Sequence, residues 1–423
     1  TLYDGVTPIV RPAGNAYHLT EDLAAKAIEW LHTQKAVTPD KPVLLYFAPG
    51  ATHAPFQAPK AWIERYRGRF DGGWDALRQE IFARQKKLGV IPADTVLTPR
   101  DPQLPAWSSL APDQKRIAAR LMEVYAGFLA HTDAQVGKLI DALKAEGKFD
   151  NTLFFYVVGD NGASGEGGLL GSADYMGPIQ GLPEPDAVKL QLIDKFGAPS
   201  TYPHFNSGWA WAMNTPFRWM KTVASHLGGT RNGLVVSWPR GIHDHGGLRS
   251  QFSHVNDIAP TILEAAGIPA PATVDGVPQK PMNGASLVYS FDAPRAPERH
   301  DTQYFEVYGH RAIYHAGWIA SAFHSRLPWA GIDRSNPPFE ADRWELYDLR
   351  RDFSQAHDLA STQPAKLAEL KDLFLREAAE NQVLPLTNNA VGNAAGLPSI
   401  RAGRTIISYP ASARGIPESA VPR

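Results

Sequence analysis

The chain has 423 residues, no cysteine, and 42 Lys+Arg against 43 Asp+Glu, for a formal net charge of −1. That balance excludes a nucleic-acid-binding composition, and the lack of thiols excludes disulfides, thiolate metal sites and a cysteine nucleophile within these residues. At 43% hydrophobic residues the chain exceeds one small domain and can bury a sizeable core, yet no apolar run is long enough to cross a bilayer.

Thr1 to Tyr17 reads as loop or short edge strand, broken by Pro8 and Pro12. The opening TLYDGVTPIV carries neither an initiator Met nor a signal-peptide pattern and is expected to be the interior of a longer protein. Thr20 is placed as the N-cap of a helix whose apolar face is Leu23, Ala27, Ile28 and Leu31. Pro42 to Phe47 is then expected to be a buried strand, followed by the turn Ala48-Pro49-Gly50 and by Thr52-His53-Ala54-Pro55. Helix followed by strand implies crossover packing in a mostly parallel sheet. Trp62 to Trp107 suggests short helices around Phe70, Trp74, Leu77 and Phe82, then a proline-rich surface loop. Ala111 to Ala145 is the strongest helix, with Pro112 in its first turn and Ile117, Leu121, Val124 and Phe128 among its buried positions.

The run Leu153 to Val158 suits a strand covered on both faces, and it stops at Gly159-Asp160-Asn161-Gly162. A glycine-rich loop to Gly171 follows; it either cradles an anion or is a plain loop. Asp186 to Phe196 and Arg218 to Leu227 read as helices, Leu234 to Trp238 as a third apolar strand, and Asn256 to Ala266 as a helix. A composition change near Asp292 to His300 separates an α/β core over 1–291 from a smaller α+β unit over 292–384. In that unit Gln303 to Tyr308, His310 to His315 and Trp318 to Phe323 form an antiparallel meander, Trp344 to Leu349 adds a strand, and Gln363 to Glu380 an amphipathic helix. The rest, 385–423, is an extended tail or the start of an incomplete further domain, with one strand candidate at Thr405 to Tyr409.

Few residues stand out for chemistry. Asp160 and Asn161 offer oxygen donors that suit a hard cation, or they form an ordinary Asn-Gly turn. His53 is a ligand, an acid or a satisfied loop histidine. Lys221, read alone, is an ordinary surface lysine. His243-Asp244-His245 sits in a polar loop and reads as solvated more readily than as a metal site. No spacing gives a serine-hydrolase elbow or a dinucleotide fingerprint.

Taken together, Ala48-Pro49-Gly50-Ala51-Thr52-His53-Ala54-Pro55, Gly159-Asp160-Asn161-Gly162-Ala163-Ser164, Lys221 through Gly228-Gly229-Thr230-Arg231 to Ser237-Trp238-Pro239, and Phe252 to Thr261 resemble the arylsulfatases, most closely the large bacterial ones. The resemblance runs over essentially the whole chain. It implies an α/β, alkaline-phosphatase-like sandwich with a mostly parallel central sheet and a smaller C-terminal α+β domain. It implies a Ca²⁺ site, or another divalent cation, with Asp160 and Asn161 matching one ligand pair. His53 matches a histidine that contacts the sulfate group, and Lys221 a lysine that binds a sulfate oxygen and supports departure of the alcohol. His226 and Arg231 match neighbours that shape the site. The implied reaction is hydrolysis of a small-molecule sulfate ester to alcohol or phenol and sulfate.

The sequence departs from the family at one point. The family's nucleophile is a formylglycine made from Cys or Ser in a Cys/Ser-x-Pro-x-Arg motif, and neither form is present. The expectation is that this motif and the other metal-ligand pair lie in a missing N-terminal portion needed to complete the site, so that this chain alone is an inactive fragment. Competing readings are a phosphatase or phosphonate hydrolase of the same superfold, and an inactive sulfatase-like binding protein; retention of His53, Asp160, Asn161 and Lys221 argues against the latter. Phe56 and the tryptophans at 209, 211 and 219 are candidates for the leaving-group side or for plain core. The compartment, periplasmic or cytoplasmic, is left open.

Overall fold

The computed structural model describes residues 2–12, 17–179, 182, 184–330 and 337–386. The expected tail from 387 onward, with its strand candidate at Thr405 to Tyr409, lies outside the described residues. In chain order, a small antiparallel hairpin of β1 (Leu2–Asp4) and β2 (Thr7–Ile9) precedes α1 (Leu19–Val37), α2 (Lys60–Glu64), α3 (Gly73–Leu88) and the long α4 (Pro112–Ala145). Next come β3 (Phe154–Val158), α5 (Met176–Ile179), α6 (Asp186–Leu192), α7 (Ser207–Met213), α8 (Leu227–Thr230), β4 (Gly233–Ser237) and α9 (Ile258–Ala265). The remaining elements are β5 (Thr273–Val274), β6 (Val277–Pro278), β7 (Thr302–Val307), β8 (His310–His315), β9 (Trp318–Ala322), β10 (Trp344–Asp348) and α10 (Pro364–Glu380).

Helix α4 organises the main core. Pro112 occupies its first turn, where no intrahelical N–H is needed. Its buried stripe of Ile117, Leu121, Val124 and Phe128 packs with Phe56, Ile63, Trp74, Phe205 and Trp209, and the Trp209 indole N–H donates to the Ala118 carbonyl at 2.9 Å. Large aromatics supply most of the apolar area in such a core. Phe56, Trp209, Trp211 and Trp219 are all buried, so these candidates for the leaving-group side are packing residues. Helix α1 starts two residues earlier than Thr20 suggests, because the His18 imidazole, rather than the Thr20 hydroxyl, caps it by accepting from the Thr20 N–H.

The expected mostly parallel central sheet is not what forms. The molecule is an α/β sandwich with several small antiparallel sheets. Strand β3 pairs antiparallel with β4, from Phe154 opposite Ser237 to Val158 opposite Gly233. The expectation failed because an apolar run shows that a strand can be buried, while the path of the returning chain decides its direction. Pro42 to Phe47 forms no strand and joins no ladder among the described residues, and Leu44 and Tyr46 are 73% and 90% exposed. β3 likewise is half-buried to exposed rather than covered on both faces.

The later strands form one antiparallel sheet in the order β10-β9-β8-β7. Ile313, Ala320 and Leu346 on one of its faces pack against Leu370, Phe374 and Ala378 of α10. Ala312, Ile319 and Tyr347 on the other pack against Phe217 and Leu227, which tethers the sheet to the segment carrying Lys221. Two faces of strict alternation bury two different surfaces.

Candidate active site

Three stretches far apart in the sequence converge. The first is the turn leaving β3. The second is Arg218 to Arg231, expected to be helical over most of its length. It is a run of turns until α8, with Trp219 at φ 68° and Thr222 at φ 77°. A bulky indole and a β-branched side chain are both costly in the left-handed region, of order 1–3 kcal/mol each, and such strain persists only where surroundings over-determine it. The two positions bracket Lys221.

The surroundings supply that determination. Lys221 N–H donates to the Ala163 carbonyl at 3.1 Å, and Gly162 N–H to the Gly229 carbonyl at 2.9 Å. Ala163 N–H is taken by the Asn214 side-chain oxygen at 2.9 Å. A Cβ on Gly162 would lie 1.9 Å from the Gly228 carbonyl oxygen, and one on Gly228 would lie 2.1 Å from that of Arg218. The two motif blocks therefore interlock backbone against backbone, at a separation that only glycine permits.

The third stretch brings His53. Its N–H donates to Gly50, and its Nδ1 donates to the Ala54 carbonyl at 2.8 Å. A carbonyl can only accept, so Nδ1 holds the ring proton and Nε2 is left to accept. Lys221 Nζ lies 3.0 Å from that Nε2, across 168 residues of sequence. The same ammonium donates to Glu166 Oε2 at 3.0 Å. Two of its three donors are thus engaged by side chains and the third is available to an oxyanion.

Glu166, Ser164 and His204 were not singled out from sequence. Ser164 Oγ is 2.9 Å from Glu166 Oε2 and 3.1 Å from His204 Nε2, while His204 Nδ1 donates to the Phe205 carbonyl at 3.0 Å. Burial pushes the Glu166 carboxyl up, but the Lys221 charge and the hydrogen bonds from Lys221 and Ser164 outweigh it, leaving the group below its ordinary value. Burial drives His204 down to about 4, so that imidazole is neutral at pH 7. Glu166 lies in Ser164-Gly165-Glu166-Gly167 within the glycine-rich loop, and nothing local in that stretch marks it out.

Asp160 and Asn161 stand apart from this network. Asp160 is exposed, and Asn161 Nδ2 donates to Asp160 Oδ1 at 2.5 Å. Among the described residues no group of three or more His, Cys, Asp or Glu side chains is placed to hold a metal ion. The donors match a hard cation in type, two oxygens out of the six to eight that Ca²⁺ takes. His226 reaches neither cluster; its Nε2 contacts Glu345 Oε2 at 2.9 Å and its Nδ1 contacts Ser225 Oγ, joining α8 to β10. Arg231 stacks over Phe353 and Phe217. His243 is tied to Asp292 by its ring and its backbone N–H, and Asp244 pairs with Arg249, so the His243-Asp244-His245 loop is held without a metal.

The Sulfatase family model matches residues 3–268 of the chain. The chain belongs to the sulfatase family. An uncharacterized sulfatase of Schizosaccharomyces pombe is 31% identical over 357 residues, covering 82% of this sulfatase chain and 59% of that protein. An arylsulfatase of Klebsiella aerogenes is 32% identical over 271 residues, covering 64% of this chain and 55% of that one. The chain thus spans less than two thirds of the length of these relatives. Among solved structures, Ps i-CgsB in complex with k-i-k-neocarrahexaose superposes with a TM-score of 0.52 at 18% identity, over 89% of this chain and 58% of that one, a likeness of fold.

Proposed function

We propose that the protein containing this chain is a calcium-dependent hydrolase of sulfate esters, with aryl sulfates as working substrates. The observation that carries this reading is the Lys221–His53 contact. A sulfate ester presents an anionic head, and transfer of that head shifts negative charge onto the departing oxygen. Lys221 offers its third donor to a sulfate oxygen, while Glu166 and the backbone interlock hold the ammonium in place. His53 borders the same head from a turn fixed at Nδ1, and because its Nε2 accepts from Lys221, the proton that the departing oxygen needs comes from the Lys221 ammonium, which His53 helps to aim.

Asp160 and Asn161 would hold the divalent cation through their side-chain oxygens, together with donors from outside this pair. The bound cation supplies positive charge that neutralises sulfate oxygens. We place the nucleophile, a formylglycine, outside these residues, since they contain neither Cys nor a Ser-x-Pro-x-Arg stretch. On this reading the isolated chain is inactive.

The test is an assay of the full-length gene product with calcium on an aryl sulfate, with the matching phosphate and phosphonate esters in parallel. Turnover selective for the sulfate ester supports the reading. Preference for the phosphorus esters makes the protein a phosphatase or phosphonate hydrolase instead. No turnover of any ester, in a product lacking the nucleophile motif, makes it a binding protein.

A further inference from the structure

The glycine-rich loop after Asn161 has a definite task in this molecule. A Cβ on Gly165 would meet Met220 Sδ at 2.7 Å and the Pro328 carbonyl oxygen at 3.3 Å. On the other side of Glu166, a Cβ on Gly167 would lie 2.1 Å from the Phe205 carbonyl oxygen and 2.7 Å from His204 Nδ1. The Ser207 hydroxyl lies 3.0 Å from the Gly165 carbonyl and 2.9 Å from that of Gly168, and Glu166 N–H donates to Ser164 Oγ at 3.1 Å. Glu166 is therefore flanked by a tight backbone approach at Gly167 and by packing of Gly165 against Met220 and Pro328.

From that mount the half-buried carboxylate faces Lys221 and Ser164. Glu166 Oε2 receives Lys221 Nζ at 3.0 Å and lies 2.9 Å from Ser164 Oγ, whose other neighbour is the buried Nε2 of His204. A hydrogen-bonded chain runs Ser164–Glu166–Lys221–His53, with His204 Nε2 3.1 Å behind the Ser164 hydroxyl. Ser164 owns one proton and faces two acceptors, Glu166 Oε2 and the neutral His204 Nε2, so it can brace only one of them at a time.

We propose that Glu166 is the positioning residue of this site: it holds the Lys221 ammonium against His53 with its third donor directed outward, and the Ser164 hydroxyl braces it from behind. The proposal rests on the reading of Lys221 given above for its consequence in turnover, but not for the contact itself. A long lysine side chain loses several rotamers in this arrangement, and a charge-assisted hydrogen bond is what fixes it. The carboxylate also neutralises part of the lysine charge in the resting site, so substrate anions are held less tightly before reaction than a bare lysine would hold them.

The test uses the full-length gene product and two readouts. Glu166→Gln keeps the size and removes the charge; Glu166→Asp keeps the charge on a shorter stem. For Glu166→Gln we expect kcat on an aryl sulfate to fall about 10-fold, the scale of one charge-assisted hydrogen bond, while KM stays level or falls. Glu166→Asp should recover part of kcat. Independently of any turnover, amine-directed labelling of Lys221, read by peptide mass spectrometry, should speed up in Glu166→Gln as the ammonium is released. Unchanged labelling overturns the proposal, as does a kcat within twofold of wild type. A fall in kcat with a matching rise in KM, and no recovery in Glu166→Asp, marks Glu166 as merely structural. If the wild type turns over no sulfate ester, the functional reading fails, while labelling still decides whether Glu166 holds Lys221.

Discussion

The lysine side and the carboxylate side of this site are built by opposite means. Lys221 is half-buried, bracketed by two strained residues, and held by His53, Glu166 and the Ala163 carbonyl. Asp160 lies at the exposed end of β3, and its neighbour Asn161 is its side-chain partner. The lysine side is preorganised by backbone interlock and needs no further group to fix its geometry. The carboxylate side is exposed, and its two side chains bond to each other. On the function proposed above, the difference teaches that anion-handling groups are aimed before substrate arrives, whereas oxygen donors to a hard cation are gathered by the cation.

The most severe way to break this contrast is Gly162→Ala. The added methyl would stand 1.9 Å from a carbonyl oxygen of the backbone, which no rotamer change relieves. We expect a loss of at least about 4 kcal/mol of stability, at the extreme of point mutations, seen as a large drop in Tm or failure to recover soluble protein. A Tm within a few degrees of wild type would refute the interlock.

A milder perturbation acts where the lysine segment meets the sheet. Burial alone would raise the Glu345 carboxyl, but its hydrogen bond from His226, with Arg218 and Tyr347 nearby, lowers it to about 2. A carboxyl whose folded value is depressed binds fewer protons in the native state. Its stabilising contribution is present above the ordinary value of about 4.3 and is lost as pH falls toward 2. Glu345→Gln should cost about 2 kcal/mol near neutral pH, and the gap in Tm between wild type and variant should narrow as pH falls below about 4. A gap constant from pH 7 to 3 would remove Glu345 from this role.

The smallest structural effect is expected on the carboxylate side. Asp160→Ala should change stability by no more than about 0.5 kcal/mol, as for other exposed positions, while weakening calcium binding by about 10-fold or more in a calcium titration of the full-length gene product. An unaltered titration would count against Asp160 as a ligand.

Much of the helical layer was legible in the sequence, because Ile117, Leu121, Val124 and Phe128 repeat at helical spacing and Pro112 marks the start of α4. The alternation of His310 to His315 and Trp318 to Ala322 likewise gave the meander. Strand direction was not legible: Phe154 to Val158 is apolar whichever way β4 runs beside it. The fold around Lys221 was misread as helix because Arg218 to Leu227 has good local helix formers. The deciding facts are the close approach of Gly228 to the Arg218 carbonyl and the positive φ of Trp219 and Thr222, all of them tertiary. His53 and Lys221 could be nominated by the motifs that flank them. Glu166 could not, because its significance comes from the two glycines that pin it and from a lysine 55 residues away.

The most direct measurement is sulfate release from an aryl sulfate by the full-length gene product, wild type beside Lys221→Ala, with matched Tm as a control for folding. The account predicts that wild type releases sulfate and that the variant, folded equally well, does so about 100- to 1,000-fold more slowly, the scale for removal of one charge-stabilising donor. Equal rates in the two proteins would contradict it.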